Sequence, residues 1–206
     1  MTGLLELSKS RNRKNLNQAL RSHTGEVIPS VLDSIIPILP LGTIIKSVIK
    51  SRGAFNDYFF INKLNSFLFP LNSEELSDDE LDEFFKSLND DKQKVEEYMI
   101  GLLINAESMD KTLIMGYIYK AAVRKEINYI EMLRLCSIIN HSFIYDLKAM
   151  TKYEDASTIY SIEAMNLINL GLIDNYVGGI WKNEPTYELN ETGILLLSIL
   201  KKENWV

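Results

Sequence analysis

Cysteine and histidine are nearly missing from this chain of 206 residues: one cysteine, Cys136, and two histidines, His23 and His141. A lone cysteine excludes an intramolecular disulfide framework. Structural or catalytic zinc needs several converging His, Cys or carboxylate ligands, and neither histidine has a His or Cys at the i+3 or i+4 spacing that would place two ligands on one helical face. Cys136 and His141 lie five positions apart, on different faces of a helix, so they do not pair as nucleophile and base. Cys136 also falls on an apolar stripe, where a cysteine behaves as a small core residue. Glycine is sparse, and no Gly-rich loop followed by Lys-Ser/Thr is present to cradle a phosphate. Paired carboxylates such as Asp78/Asp79 and Asp90/Asp91 sit in polar stretches with no apolar pocket to perturb them. No enzyme, cofactor or metal is therefore expected.

Long apolar runs are absent as well. Residues 28 to 49 are mostly apolar but broken by Pro29, Pro37, Pro40 and Gly42, and the part uninterrupted by charge between Asp33 and Lys46, Ile35 to Ile45, is about eleven residues. A helical membrane span needs about twenty, and each interior proline costs a helix about 3 kcal/mol. We expect this segment to be buried against protein as a short bent helix pair; an interfacial segment at a membrane surface is the reading left open. No leader with a basic start, apolar stretch and small-residue cleavage site opens the chain, and with a single thiol this leads to the expectation of a cytoplasmic protein.

What is present begins with a division of charge. Residues 1 to 50 carry seven Lys/Arg and three Asp/Glu, whereas residues 51 to 206 carry fifteen and twenty-five. Lys9, Arg11, Arg13, Lys14 and Arg21 form a basic arm, read first as a solvated helix face and alternatively as a contact for nucleic acid, anionic lipid or an acidic partner. Between Glu74 and Asp91 there are nine acidic residues against Lys86 alone, a cluster that repels phosphates. Helical spacing of Phe55, Tyr58, Phe59, Ile61, Leu64, Phe67 and Leu68, stopped by Pro70, predicts a helix whose aromatics serve core or interface. Ser73 and Ser77, each followed by acidic residues, suit helix starts.

Three further amphipathic helices follow from the stripes Val95–Ala106, Leu113–Ala121 and a longer Met132–Met150. Short polar joints at 107–110 and 125–126 predict antiparallel neighbours in a helical bundle. The run from Arg124 to Glu131 has the rhythm of an EF-hand, with Ile127 at the central apolar position. Its calcium positions would be Lys120, Ala122 and Arg124, which cannot supply oxygen ligands, so a packing role is expected for this helix pair.

The last fifty residues order themselves as helix, strand, turn, strand, helix: Leu167-Ile168-Asn169-Leu170-Gly171-Leu172-Ile173, then Tyr187-Glu188-Leu189-Asn190-Glu191-Thr192-Gly193 and an apolar run to Leu200. Strands are expected near Leu172 to Val177 and Thr186 to Leu189, with Gly178-Gly179 at the turn. This pattern resembles the tail of a bacterial winged helix-turn-helix domain, in which a helix ends on Leu-Gly-Leu-Ile and a Leu-Thr-x-x-Gly-like box opens the last helix. The resemblance implies a recognition helix at about Ser157 to Leu170. That stretch holds Glu163 and no Lys or Arg, and the wing offers Lys182 beside Glu184, so sequence-specific duplex binding is not expected. A second pattern, Ile-Pro-x-x-x-x-Gly-Thr-Ile-Ile-Lys from Ile36 followed by Asp57-Tyr58-Phe59-Phe60, resembles bacterial and phage helical proteins of the abortive-infection type and implies a role in conflict between phage and host.

The expected fold is mainly α, a helical bundle with a small C-terminal winged-helix-like α+β module. Its expected division is residues 1–52 (arm and apolar segment), 53–150 (bundle) and 151–206 (module). The expected function is a non-enzymatic protein-interaction component of phage defence or counter-defence, with a protein partner or homo-oligomer engaged through Ile36, Leu39, Leu41, Ile44, Ile45, Phe55, Tyr58, Phe59 and Phe60. The alternatives are a transcriptional regulator using the winged helix and basic arm, and a peripheral membrane protein anchored by residues 28–50.

Overall fold

The computed structural model describes residues 54–72, 76–177 and 185–206. The basic arm and Ile36, Leu39, Leu41, Ile44 and Ile45 lie outside these residues, as do Ser73, the Gly178-Gly179 turn and Lys182. The chain divides into two compact units, 1–133 and 134–206.

The described part of the first unit is helical: α1 (Ala54–Leu68), α2 (Asp78–Ser87), α3 (Lys92–Asn105), α4 (Met109–Val123) and the start of α5 (Tyr129–His141). The core centres on α4, which buries residues on all sides, including Ile114, Met115, Ile118, Tyr119 and Val123. A helix that is apolar all round belongs inside. The short joints predicted that consecutive helices pack together, but α4 packs chiefly on α1, and also on α2.

Glycine explains this choice of partner. A Cβ built on Gly116 would lie 2.3 Å from the Phe67 carbonyl oxygen and 3.1 Å from Pro70 Cδ; only hydrogen at this position lets the end of α1 come so close. Aromatic edges lock the same crossing. Tyr119 meets Phe67 edge-on at 5.4 Å between centroids and Phe84 of α2 at 5.2 Å, arrangements worth about 0.5–1.5 kcal/mol each beyond area burial. Lys63 of α1 is buried, yet its ammonium donates to the Ile104 carbonyl at 2.9 Å. A cation there meets the negative end of the α3 dipole and ties α1 to α3.

Helix ends follow local chemistry. Ser77 and Glu80 form a reciprocal capping box at α2, and Ser108 caps α4 by accepting from the Lys111 amide. The Ser77 backbone amide, donating to the Glu80 carboxylate at 2.7 Å, holds that carboxyl below its ordinary value. In the EF-hand-like joint, Glu131 accepts from the Asn128 amide at 2.8 Å while Asn128 Oδ1 accepts from the Glu131 amide at 2.9 Å. Glu131 is thus half of a capping box for α5, and Ile127 is buried. Lys125 occupies the left-handed region at φ 59° and closes the end of α4 by donating its amide to the Ala122 carbonyl.

The second unit holds the rest of α5, then α6 (Ile144–Lys148), a 3-10 turn (Ala149–Tyr153), α7 (Ile162–Asn169), β1 (Ile173–Val177), β2 (Pro185–Leu189) and α8 (Glu191–Lys202). The single long helix expected from Met132 to Met150 is broken after His141: Ser142 folds its hydroxyl onto the Ile139 carbonyl at 2.8 Å, and Phe143 has extended backbone and is solvent-exposed. The apolar periodicity ran through this corner because Leu147 and Met150 are buried on the far side of it. The strands pair antiparallel with Ile173 opposite Leu189 and Asn175 opposite Tyr187, in agreement with the expected hairpin.

Candidate functional site

The two boxes at the ends of this hairpin meet each other. Helix α7 ends with Gly171 at φ +70°, its amide donating to the Ile168 carbonyl at 2.8 Å and the Leu172 amide to the Leu167 carbonyl at 2.9 Å. This double closure requires a left-handed residue, which explains the glycine, and it is accompanied by burial of both Leu167 and Leu172. Asn190, the N-cap of α8, accepts from the Gly193 amide at 3.1 Å, while its own side-chain amide donates to the Gly171 carbonyl at 3.0 Å and to Asp174 at 3.2 Å. The Asn190 backbone amide donates to the Leu172 carbonyl at 3.1 Å. A Cβ on Gly193 would fall 2.2 Å from that same carbonyl oxygen. The Leu-Gly-Leu and Leu-Asn-x-x-Gly boxes are therefore two halves of one clasp that sets the hairpin between α7 and α8.

With the clasp in place, α7 turns one face inward through Ala164 and Leu167, both fully buried. Its start is later than the sequence suggested. Ser157 exchanges backbone hydrogen bonds with Tyr187 at 2.9 and 2.8 Å, as a short extension of the sheet next to β2. Ser161 then has extended backbone and caps the helix, accepting from the Ala164 amide at 3.1 Å. Serine at both positions competes with helical hydrogen bonding and favours bridges and caps over helix interior.

The outward face of this region is apolar. Ile159, Tyr160, Ile162 and Met165 are 64%, 62%, 72% and 42% exposed, and the Tyr160 hydroxyl lies 3.3 Å from Met165 Sδ. Such a contiguous cluster is the usual mark of an interaction surface, whereas scattered single residues are not. Residues 153–177 contain Glu154, Asp155, Glu163 and Asp174 and no Lys or Arg. The Ser161 hydroxyl, hydrogen-bonded to Glu163, holds that carboxyl below its ordinary value.

Phe55, Tyr58, Phe59 and Phe60 all fall in α1 of the other unit. Phe60 is buried, which corrects its reading as a contact residue, because it points to the core side of α1. Phe59 is 42% exposed and lies under the Lys63 ammonium, 4.8 Å from its ring centroid. The α7 patch was missed because apolar spacing reads as core whichever way it faces; its signal was that Ile162 and Met165 share one side of a helix while Ala164 and Leu167 fill another.

Cys136 is fully buried, and burial pushes its thiol far above the ordinary range. His141 is exposed with Nδ1 2.8 Å from the Ser137 carbonyl oxygen. Among the described residues no group of three His, Cys, Asp or Glu side chains is placed to hold a metal ion, and no helix is long and apolar enough to cross a membrane. Compared with protein-family models, curated proteins and solved structures, the chain has no match.

Proposed function

We propose that this chain is a non-enzymatic protein-interaction component whose C-terminal unit is a winged-helix-like module turned from nucleic acid to protein. The observation that carries this reading is the outward face of α7: Ile159, Tyr160, Ile162 and Met165 stand in solvent where a DNA-binding module needs cations and base-reading polar groups. Duplex affinity rests on phosphate neutralisation by Lys and Arg, and from Met150 onward the chain has four basic and eight acidic residues. An anionic lipid surface is disfavoured by the same charges. A role in phage defence or counter-defence fits the resemblance of the 36–60 region to abortive-infection-type helical proteins.

The test pairs two measurements on the full chain. Affinity capture from the native host is compared between the wild type and an Ile162→Asp/Met165→Asp variant, with fluorescence anisotropy on mixed-sequence duplex DNA alongside. A partner retained by the wild type and lost by the variant supports the reading. Duplex binding that survives physiological salt and disappears on changing Thr158 or Lys182 overturns it.

A further inference from the structure

We infer that the corner between α5 and α6 binds single-stranded nucleic acid, through residues other than those of the α7 face. Two observations point to it, and the first is charge. Residues 51–206 carry fifteen Lys/Arg against twenty-five Asp/Glu, yet within them residues 134–153 carry Arg134, Lys148 and Lys152 against Asp146 alone. All three cations are exposed, while Asp146 is buried and accepts from the Asn166 side-chain amide at 2.9 Å. Arg134 shares one face of α5 with exposed His141, two turns later. Lys152 lies near Glu163, but among the described residues neither Arg134 nor Lys148 is paired with a carboxylate. Their charges are left for phosphates.

The second observation is the pair of open rings at the same corner. The break after His141 leaves Phe143 and Tyr145 61% and 65% exposed, with ring centroids 5.3 Å apart and planes tilted by 48°. The Lys148 ammonium lies 5.7 Å from the Tyr145 centroid and 5.6 Å from that of Trp205. These rings position the lysine and leave its charge uncancelled. Exposed rings beside unpaired cations are the means by which single strands are held, because every base has a face to stack and a phosphate to neutralise. A duplex keeps its bases stacked on one another, whereas a single strand can splay two of them onto two tilted rings. An acidic peptide would use the cations and leave the rings in water, and an anionic bilayer would meet the acidic remainder of the chain.

Fluorescence anisotropy on the full chain tests this with labelled oligo(dT) and oligo(U) of about 12 nucleotides, a length within single-strand site sizes. Mixed-sequence duplex DNA, an oligoglutamate peptide and phosphatidylserine-containing vesicles are run alongside. Either single strand should bind in preference to all three, with affinity falling about sevenfold between roughly 50 and 200 mM salt, as two neutralised phosphates require. Phe143→Ala and Tyr145→Ala should each raise the Kd about 10-fold, as loss of one stacked base does. Both positions are exposed, and circular dichroism melts check that the variants fold. Ile162→Asp on α7 should leave the affinity unchanged. Absence of single-strand binding up to about 100 μM, the weak end of non-specific affinity, overturns the inference. So does binding indifferent to both ring substitutions, the result expected if the basic arm from Lys9 to Arg21 carried it, or equal binding of the peptide, the vesicles or the duplex. The interaction reading of α7 is tested separately, by host proteins captured with and without Ile162→Asp/Met165→Asp.

Discussion

Replacing Gly116 with alanine sets helix propensity against helix packing, and packing should win. Alanine is favoured over glycine in a helix interior by about 1 kcal/mol. The new Cβ, however, would lie 2.3 Å from the Phe67 carbonyl oxygen and 3.1 Å from its carbon, and carbon–oxygen contacts in proteins settle at about 3.3–3.6 Å. Because the obstacle is backbone, α1 and α4 must separate locally by about 1 Å. A gap of that size forfeits a quarter to a half of each dispersion contact across it, beginning with the Phe67–Tyr119 edge. Overpacking of this kind costs about 1–3 kcal/mol, occasionally more. Set against the propensity gain, the net effect should be a loss of up to about 2 kcal/mol. For a chain of this size that lowers the melting temperature by up to about 8 °C. The control is Gly101→Ala in α3, where an added Cβ meets nothing within 4 Å and the same substitution should stabilise by up to about 1 kcal/mol. Both are read by thermal melts and urea titration. If Gly116→Ala melts at or above the wild type, or if the two substitutions move stability in the same direction, the close-approach argument is wrong.

Two further outcomes follow from single side chains. Asn190→Ala removes the cap of α8 together with the donors to Gly171 and Asp174, and should cost about 1–2 kcal/mol in the urea midpoint; Asn190→Ser, which restores an acceptor but not the amide donors, should fall between alanine and wild type. Glu96 is buried on α3 with Oε1 unpaired, and desolvation raises its carboxyl above the ordinary value. The native state therefore holds this proton more tightly than the unfolded state, and its stabilising effect is lost as pH rises through the raised folded value. Glu96→Gln should accordingly raise the melting temperature at pH 7.5 and make no difference below the ordinary glutamate range; an equal effect at both pH values would count against burial as the cause.

Local signals carried much of this fold. The aromatic helix stopped by Pro70, the start at Ser77, the hairpin strands and the closing glycine at Gly171 all rest on backbone chemistry within a few residues, and such chemistry is written in the sequence. The Leu-Gly-Leu and Leu-Asn-x-x-Gly boxes were visible as motifs, but their physical meaning needed the contact between Asn190, Gly171 and Gly193. The break at Ser142-Phe143 was hidden because apolar spacing continued through it, and the pairing of α4 with α1 because short joints favour consecutive neighbours unless a glycine opens a closer approach elsewhere. By itself, then, the sequence determined the hairpin strands, the helix start at Ser77, the closing glycine at Gly171 and the want of cations along α7. Which apolar residues stand outside was decided only by tertiary packing. Ile162 and Leu167 have the same appetite for burial, and it is the clasp between α7 and α8 that turns Leu167 inward and leaves Ile162 in water.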